Sequence, residues 1–222
     1  MIGDHMPSER IEDYLKNIYK IQSLEGKVST SSLSDTLQIS PASVSEMVKK
    51  LAHKGSLMHT PYKGVELTES GKRAALKIVR KHRLWEMFLV EILHFGWEEI
   101  HEEAEKFEHI MTDKMEDKID EVLGSPSIDP HGHPIPSKNG TIKNVRAVPL
   151  NDVEEETTAR VVRVNDANAE LLRYASSIGI SLNKKIVVKR RIKFDSSLII
   201  RIGAKEITIS STLASNISVE LM

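Results

Sequence analysis

Histidine and glutamate recur at helical spacing in the middle of this chain. His101, Glu105, Glu108 and His109 stand at offsets 0, +4, +7 and +8, so on a helix all four share one face. His82 and Glu86, again four apart, form a second such pair upstream. Imidazoles and carboxylates on facing helices suit a divalent cation, because each helix delivers two or more ligands in fixed directions. His131 and His133 add a His-x-His pair further along. A solvated acidic helix face would show the same residues, so spacing alone leaves both readings standing. A metal-dependent hydrolase would also need an open coordination position, a pocket and a general base, and no motif for these appears.

The rest of the composition narrows the setting. With 222 residues, the chain is long for one domain and comfortable for two small ones. Cysteine is absent, which removes disulfide scaffolds, thiolate zinc sites, iron–sulfur clusters and cysteine nucleophiles together. No apolar run approaches the ~18–20 residues of a membrane span, and the N-terminus lacks the apolar core of a signal peptide. A cytoplasmic protein without a membrane partner is expected. The net charge of −1 hides a division along the chain. Residues 74–140 carry 14 Asp and Glu against 8 Lys and Arg, whereas the segments on either side are net positive. Six of the nine histidines fall in that acidic third.

The elements that must position these residues are legible from hydrophobic period and breakers. Ile11, Leu15, Ile18, Tyr19 and Ile21 make a helical stripe over Glu9–Leu24, stopped at Gly26. Thr30 is placed to cap a second short helix carrying Leu33 and Leu37. Ser40-Pro41 supplies a capping hydroxyl and a first-turn proline for a third helix, whose stripe is Val44, Met47, Val48 and Leu51. Ser56–His59 and Gly64–Leu67 flank a turn and read as a hairpin. Helix, helix–turn–helix and hairpin is the order of a winged helix-turn-helix, in which the third helix enters the major groove. On that helix Ser43 and Glu46 are expected at base edges and Ala42 at a thymine methyl. Ser40, Ser45, Lys49 and Lys50 are expected at phosphates, with Lys63 extending the positive surface into the wing. A protein-interaction domain with a solvated Lys/Ser face is the plainer alternative.

A long helix is expected from about Lys72 to Leu93, a second from Trp97 to Met111, and a third from Asp113 to Leu123. Pro126–Ser137 reads as a loop and Gly140–Glu156 as a connector. The last third turns β-branched. Arg160–Val164, Lys185–Lys189, Leu198–Ile202, Glu206–Ile209 and Ile217–Leu221 read as five short strands of a small SH3-like barrel, with one helix over Ala167–Ile178. The Lys184–Lys193 cluster is read as alternating charge on an exposed strand face.

Several of these stretches also carry a family resemblance. Arg80-Lys81-His82-Arg83-Leu84-Trp85-Glu86 and Trp97 through His109 resemble the metal-binding core of the diphtheria-toxin-repressor family of metal-dependent transcription regulators. Glu12 through Tyr19 is similar to that family's first helix, Ser40–Gly55 to its recognition helix, and His131-Gly132-His133-Pro134 to a structural loop closing its dimerisation domain. The resemblance implies a primary metal site of Asp13, Glu105, Glu108 and His109. It implies an ancillary site of His82, Glu86 and His101, with Asp166 as a ligand from the C-terminal domain. Iron-responsive members carry methionine and cysteine at the positions of Asp13 and Glu105. Carboxylates there, with one imidazole, suit Mn²⁺, and Fe²⁺ stands next to it in the affinity order. Short manganese regulators place a glutamate where this chain has Lys16, so a cation at that position favours separate primary and ancillary sites over a paired-metal arrangement.

The expectation is therefore an α+β protein. It comprises a winged helix-turn-helix over 7–73, a helical dimerisation and metal-binding domain over 74–140, a linker over 141–156, and an SH3-like, FeoA-type domain over 157–222. Its expected function is a homodimeric, Mn²⁺-responsive DNA-binding repressor, not an enzyme, on a near-palindromic operator, with Leu84, Phe88 and Ile92 at the dimer interface. An iron-responsive regulator, and a winged-helix regulator answering to an organic ligand, are the alternatives.

Overall fold

Of the apolar stripe of the first helix, α1 (Ser8–Glu25), Leu15, Ile18 and Ile21 are buried together with Tyr14, while Ile11 and Tyr19 pack half-buried beside them. The computed structural model describes residues 8–60, 64–143 and 146–222, and Lys63 lies outside them. Within these the chain forms two compact units, one of Met1–His82 with Glu108–Met111 and Pro136–Thr141, the other of the remaining residues through Met222. Among the described residues, no helix is long and apolar enough to cross a membrane.

In the first unit α1 is followed by α2 (Thr30–Leu37), α3 (Pro41–His53) and an antiparallel hairpin of β1 (Leu57–Thr60) and β2 (Gly64–Leu67). The N-cap of α2 is Ser29, not Thr30: its hydroxyl accepts from Ser32 N while Ser32 Oγ reaches back to Ser29 N, closing a capping box. Ser40 caps α3, with Pro41 in the first turn. Val44, Met47, Val48 and Leu51 of α3 pack with Leu33 of α2, Val28, Leu57 and Val65 into one core with the α1 stripe. Each such aliphatic side chain contributes about 1.5–3 kcal/mol when fully buried. Helix α4 (Glu69–Glu91) starts three residues before the expected Lys72, because Thr68 Oγ1 accepts from Gly71 N. Gly71 is required there, since a Cβ would stand 2.0 Å from Ser56 O.

The second unit holds Arg83–Phe107, Thr112–Ile135 and Ile142–Met222. Helix α5 spans only Ile100–Phe107, shorter at both ends than the expected Trp97–Met111, and α6 spans Asp113–Val122. Leu84 is completely buried inside the chain, so the expected dimer contact there is not available, whereas Ile92, Leu93 and Phe95 are exposed. A six-stranded antiparallel sheet follows, in the order β3-β8-β4-β5-β6-β7. Its strands are β3 (Val148–Pro149), β4 (Thr157–Val164), β5 (Lys185–Arg191), β6 (Leu198–Ile202), β7 (Lys205–Ile209) and β8 (Ile217–Leu221). Helix α7 (Ala169–Ser177) and a short α8 (Ser211–Ser215) complete it. The end of the expected 141–156 connector is structural: β3 pairs with β8, and Leu150 and Val153 join the core of Val161, Val164, Leu172, Ile186, Ile200 and Val219. On the sheet's outer side Lys189 pairs with Glu156, and Arg201 lies across from Glu206, a neutralised alternation of charge.

One contact in this unit bears on function. Strand β4 shifts register between Val161 and Arg163, and the Asp129–Pro134 loop seats on it. Val164 N donates to His131 O at 2.9 Å. Gly132 (φ +92) approaches so closely that a Cβ would lie 2.0 Å from Val162 O.

Candidate metal centres and DNA interface

In the first unit, burial of Tyr14, Leu15 and Ile18 fixes the rotation of α1 and leaves Glu12, Asp13 and Lys16 along one edge. The turn after α5 supplies Glu108 and His109. The sequence placed these two on the helix itself, but α5 ends at Phe107 and the turn groups with the N-terminal elements. Donor atoms of Asp13, Glu108 and His109 all lie within 4.8 Å of one another. His109 Nε2 is 3.0 Å from Asp13 Oδ1 and 3.4 Å from Glu108 Oε1, while its Nδ1 is 2.7 Å from Glu12 Oε2. Glu108 is fully buried and meets two cationic or donor groups: Lys16 Nζ at 2.5 Å from Oε1 and His82 Nδ1 at 2.5 Å from Oε2.

The electrostatics follow from those contacts. Burial by itself would raise the Glu108 pKa, but the His82 hydrogen bond and charge together with Lys16 hold it below the usual carboxylate value. Burial would lower His109, yet Glu12, Glu108 and Asp13 around it raise it overall. Hard carboxylate oxygens with one imidazole are a donor set that fits Mn²⁺ or Fe²⁺. Lys16, only 1% exposed, is a fixed cation against one edge of this set.

Of the residues expected at this site, Asp13, Glu108 and His109 come together. Glu105 belongs to the second unit, on α5, with its carboxylate 3.7 Å from His101 Nε2. His82, expected at the ancillary site, is hydrogen-bonded to Glu108 in the first unit. Glu12 was not singled out from the sequence. Its adjacency to Asp13 was the available signal, but only the fold shows that both reach the same imidazole.

The second unit gathers another polar cluster. His101 Nδ1 is 3.3 Å from Glu86 Oε1 and 3.4 Å from Asp166 Oδ2. The loop seated on β4 brings His131 Nδ1 to 3.6 Å from Glu86 and 3.9 Å from Asp166. Asp129 Oδ1 accepts from the backbone N–H groups of His131 and His133, both at 2.9 Å, which shapes the loop. His131 Nε2 donates to Trp97 O at 2.7 Å and its ring stacks on Trp97. Asp129 Oδ2, His131 Nδ1 and His133 Nδ1 are buried and reach no hydrogen-bond partner among the described residues. Burial opposes a proton on His131, but Glu86, Asp166 and Asp129 outweigh it and push its pKa up to about 9. A buried imidazole nitrogen facing two carboxylates, with the other nitrogen tied to a carbonyl, is what a metal-ligating histidine shows. The donors fit a divalent cation. The loop expected to be structural thus also contributes His131 and Asp129 to this cluster.

On α3, Ala42, Ser43, Glu46 and Lys49 are exposed and share one face, with Ser45 and Lys50 partly exposed beside them. Ser40 Oγ accepts from Ser43 N as the helix cap and lies 3.0 Å from Ser43 Oγ. Ser45 Oγ donates to Pro41 O, so in this rotamer its proton is not available to a phosphate oxygen.

Comparison with known proteins joins these two features. Residues 6–65 match the N-terminal DNA binding domain of iron dependent repressors, residues 68–137 their metal binding and dimerisation domain, and residues 148–221 the FeoA domain. The diphtheria toxin repressor of Corynebacterium glutamicum is 33% identical over 165 residues, covering 70% of this chain and 71% of that protein. The iron-dependent repressor IdeR of Mycobacterium leprae is 28% identical over 94% of this chain and 96% of its own length. Among solved structures, a manganese-dependent transcriptional repressor in complex with manganese is 39% identical, with a TM-score of 0.91 over 96% of this chain and 100% of its own. The manganese regulator SloR is 32% identical, with a TM-score of 0.80 over 98% and 100%. With a DNA-binding fold, a carboxylate–imidazole centre and relatives along its whole length, this chain belongs to the diphtheria-toxin-repressor family of metal-dependent transcription regulators.

Proposed function

We propose that this protein is a cytoplasmic, homodimeric repressor that binds a near-palindromic DNA operator when loaded with Mn²⁺. The observation that carries the reading is the meeting of Asp13, from the first helix of the DNA-binding segment, with Glu108 and His109, from the turn after α5. A bound cation supplies the positive charge that lets these groups stay together. Without it, the carboxylates of Asp13, Glu12 and Glu108 repel one another and the tie of α1 to the turn weakens to the Lys16–Glu108 pair. Glu86, His101, His131 and Asp166 form the second site, with Asp129 ordering the loop that presents His131. The domain division proposed is a winged helix-turn-helix over 7–73, a helical domain over 74–140 and an FeoA-type domain over 157–222. Exposed Ile92 and Phe95 supply apolar surface for a second copy. Ser43, Glu46 and Ala42 read bases, while Ser40, Lys49 and Lys50 hold phosphates.

Metal acts here by population shift, to the extent that it binds the DNA-competent arrangement better than others. The test is fluorescence anisotropy of labelled operator DNA with chelator-treated protein, run without metal, with Mn²⁺, and anaerobically with Fe²⁺. Binding is expected only with metal, and the ion effective at lower concentration is the one sensed. Asp13→Ala is expected to abolish the metal response while sedimentation still reports a dimer. Tight, chelator-insensitive DNA binding would overturn the reading in favour of an organic effector.

A further inference from the structure

We infer that Glu12 is a positioning residue for the first metal centre: its carboxylate fixes the tautomer and direction of His109, so that Nε2 presents a lone pair towards Asp13 and Glu108. This rests on the metal-centre reading above and adds a residue to it that acts without touching the ion. The two ring nitrogens of His109 face different partners. Nδ1 is 2.7 Å from Glu12 Oε2, and Nε2 is 3.0 Å from Asp13 Oδ1 and 3.4 Å from Glu108 Oε1. A neutral imidazole has one N–H and one lone pair, and the hydrogen bond made by the first nitrogen decides which atom carries the other. An ionised carboxylate only accepts, so Glu12 requires the proton on Nδ1. Were Glu12 absent, Asp13 and Glu108 would draw the one proton to Nε2, and it would point at the place where a cation must bind.

Glu12 also supplies direction. His109 stands beyond the end of α5, in a turn without a helical hydrogen-bond ladder at its own position. Two successive residues of α1 therefore hold opposite edges of one ring, Glu12 on the outer edge and Asp13 on the inner. Because the ring lies between them, Glu12 does not fall within the close group of Asp13, Glu108 and His109 donors. A carboxylate on the far nitrogen of a metal-bound histidine raises the ligand's basicity and orients it, and loss of such a partner typically weakens metal binding about 10–100-fold.

The experiment compares Glu12→Gln, Glu12→Ala and Glu12→Lys in the full chain, titrating Mn²⁺ and following free ion by its EPR signal. Glutamine can still accept from Nδ1 through its amide oxygen, and Glu12→Gln is expected to stay within about threefold of the parent. Alanine is expected to weaken the first site about 10–100-fold. Lysine, which only donates, demands a lone pair on Nδ1 and is expected to weaken it further. A long-range ¹H–¹⁵N spectrum with Zn²⁺ as a diamagnetic probe should show His109 protonated at Nδ1 in the parent and in Glu12→Gln. Equal weakening by glutamine and alanine, or lysine no worse than alanine, would overturn the tautomer argument. His109→Ala is the control for the underlying reading. If it leaves the number of bound ions unchanged, the site itself is misassigned; if it removes one ion while Glu12→Ala changes nothing, only the role of Glu12 fails.

Discussion

Removing the carboxylate of Glu108 should unfold this protein more readily even when no metal is present. Glu108 is fully buried and Lys16 only 1% exposed, with their charged atoms 2.5 Å apart. Water therefore cannot replace a lost partner. Truncating one member of such a buried pair costs about 3–5 kcal/mol, because the other charge stays desolvated and loses this partner. For a chain of this size, ~2–4 °C of melting temperature accompanies each kcal/mol. Glu108→Leu is thus expected to lower the melting temperature by roughly 6–20 °C. The assay is thermal unfolding by circular dichroism in excess chelator, so that metal linkage adds nothing to the difference. The discriminating variant is the double substitution Lys16→Met with Glu108→Leu. Replacing both charges by apolar groups removes the desolvated cation as well, and much of the lost stability should return. Recovery will be partial, since His82 Nδ1 still loses its partner on Glu108, about 1–3 kcal/mol. A drop under ~2 °C for the single variant, or a double variant less stable than the single one, would refute the buried-pair argument.

Other outcomes follow from the same structure. Lys50→Ala should weaken binding to all DNA sequences alike and reduce the slope of log affinity against log salt by about one; a loss confined to the operator would contradict a phosphate role. Gly132→Ala should destabilise far more than Gly55→Ala in thermal unfolding. Both have positive φ, but a Cβ at Gly132 meets Val162 O at 2.0 Å whereas at Gly55 nothing lies within 4 Å, and equal effects would mean the loop does not seat on β4 as described. Asp195 accepts from the N–H and then the hydroxyl of Ser197, which lowers its pKa. A depressed carboxylate contributes stability above its unfolded pKa and loses it as pH falls through the folded value. The Ser197 amide shift in NMR should therefore titrate below the ordinary aspartate midpoint, and a midpoint at or above that value would count against these hydrogen bonds.

What was legible in the sequence was most of what depends on local spacing. The stripes of α1 and α3, the Ser40-Pro41 start, the β-branched runs of the C-terminal sheet and the acidic, histidine-rich middle all follow from side-chain period and backbone chemistry a few residues apart. So did Asp13, Glu108 and His109 as partners, through motifs that match a known family. Less was legible where an element stops. The Glu/His run looked helical through His109, but α5 ends at Phe107, and the break places Glu108 and His109 with the N-terminal elements. Leu150 and Val153 carried no periodic signal in so short a stretch, and only the sheet's core shows them buried.

The sequence alone showed which chemistry was on offer: carboxylates and imidazoles without a thiol, a helix with a polar Ser/Lys face and a β-rich C-terminal segment. Tertiary structure alone decided which of those groups meet. It paired Glu12 with His109 across 97 positions, gave Glu108 to Lys16 and His82, and seated the 129–134 loop on β4 so that His131 faces Glu86 and Asp166. The reason is physical: residue type and spacing fix a group's charge and the face it occupies, whereas desolvation and hydrogen-bond partnership exist only once distant segments close around it.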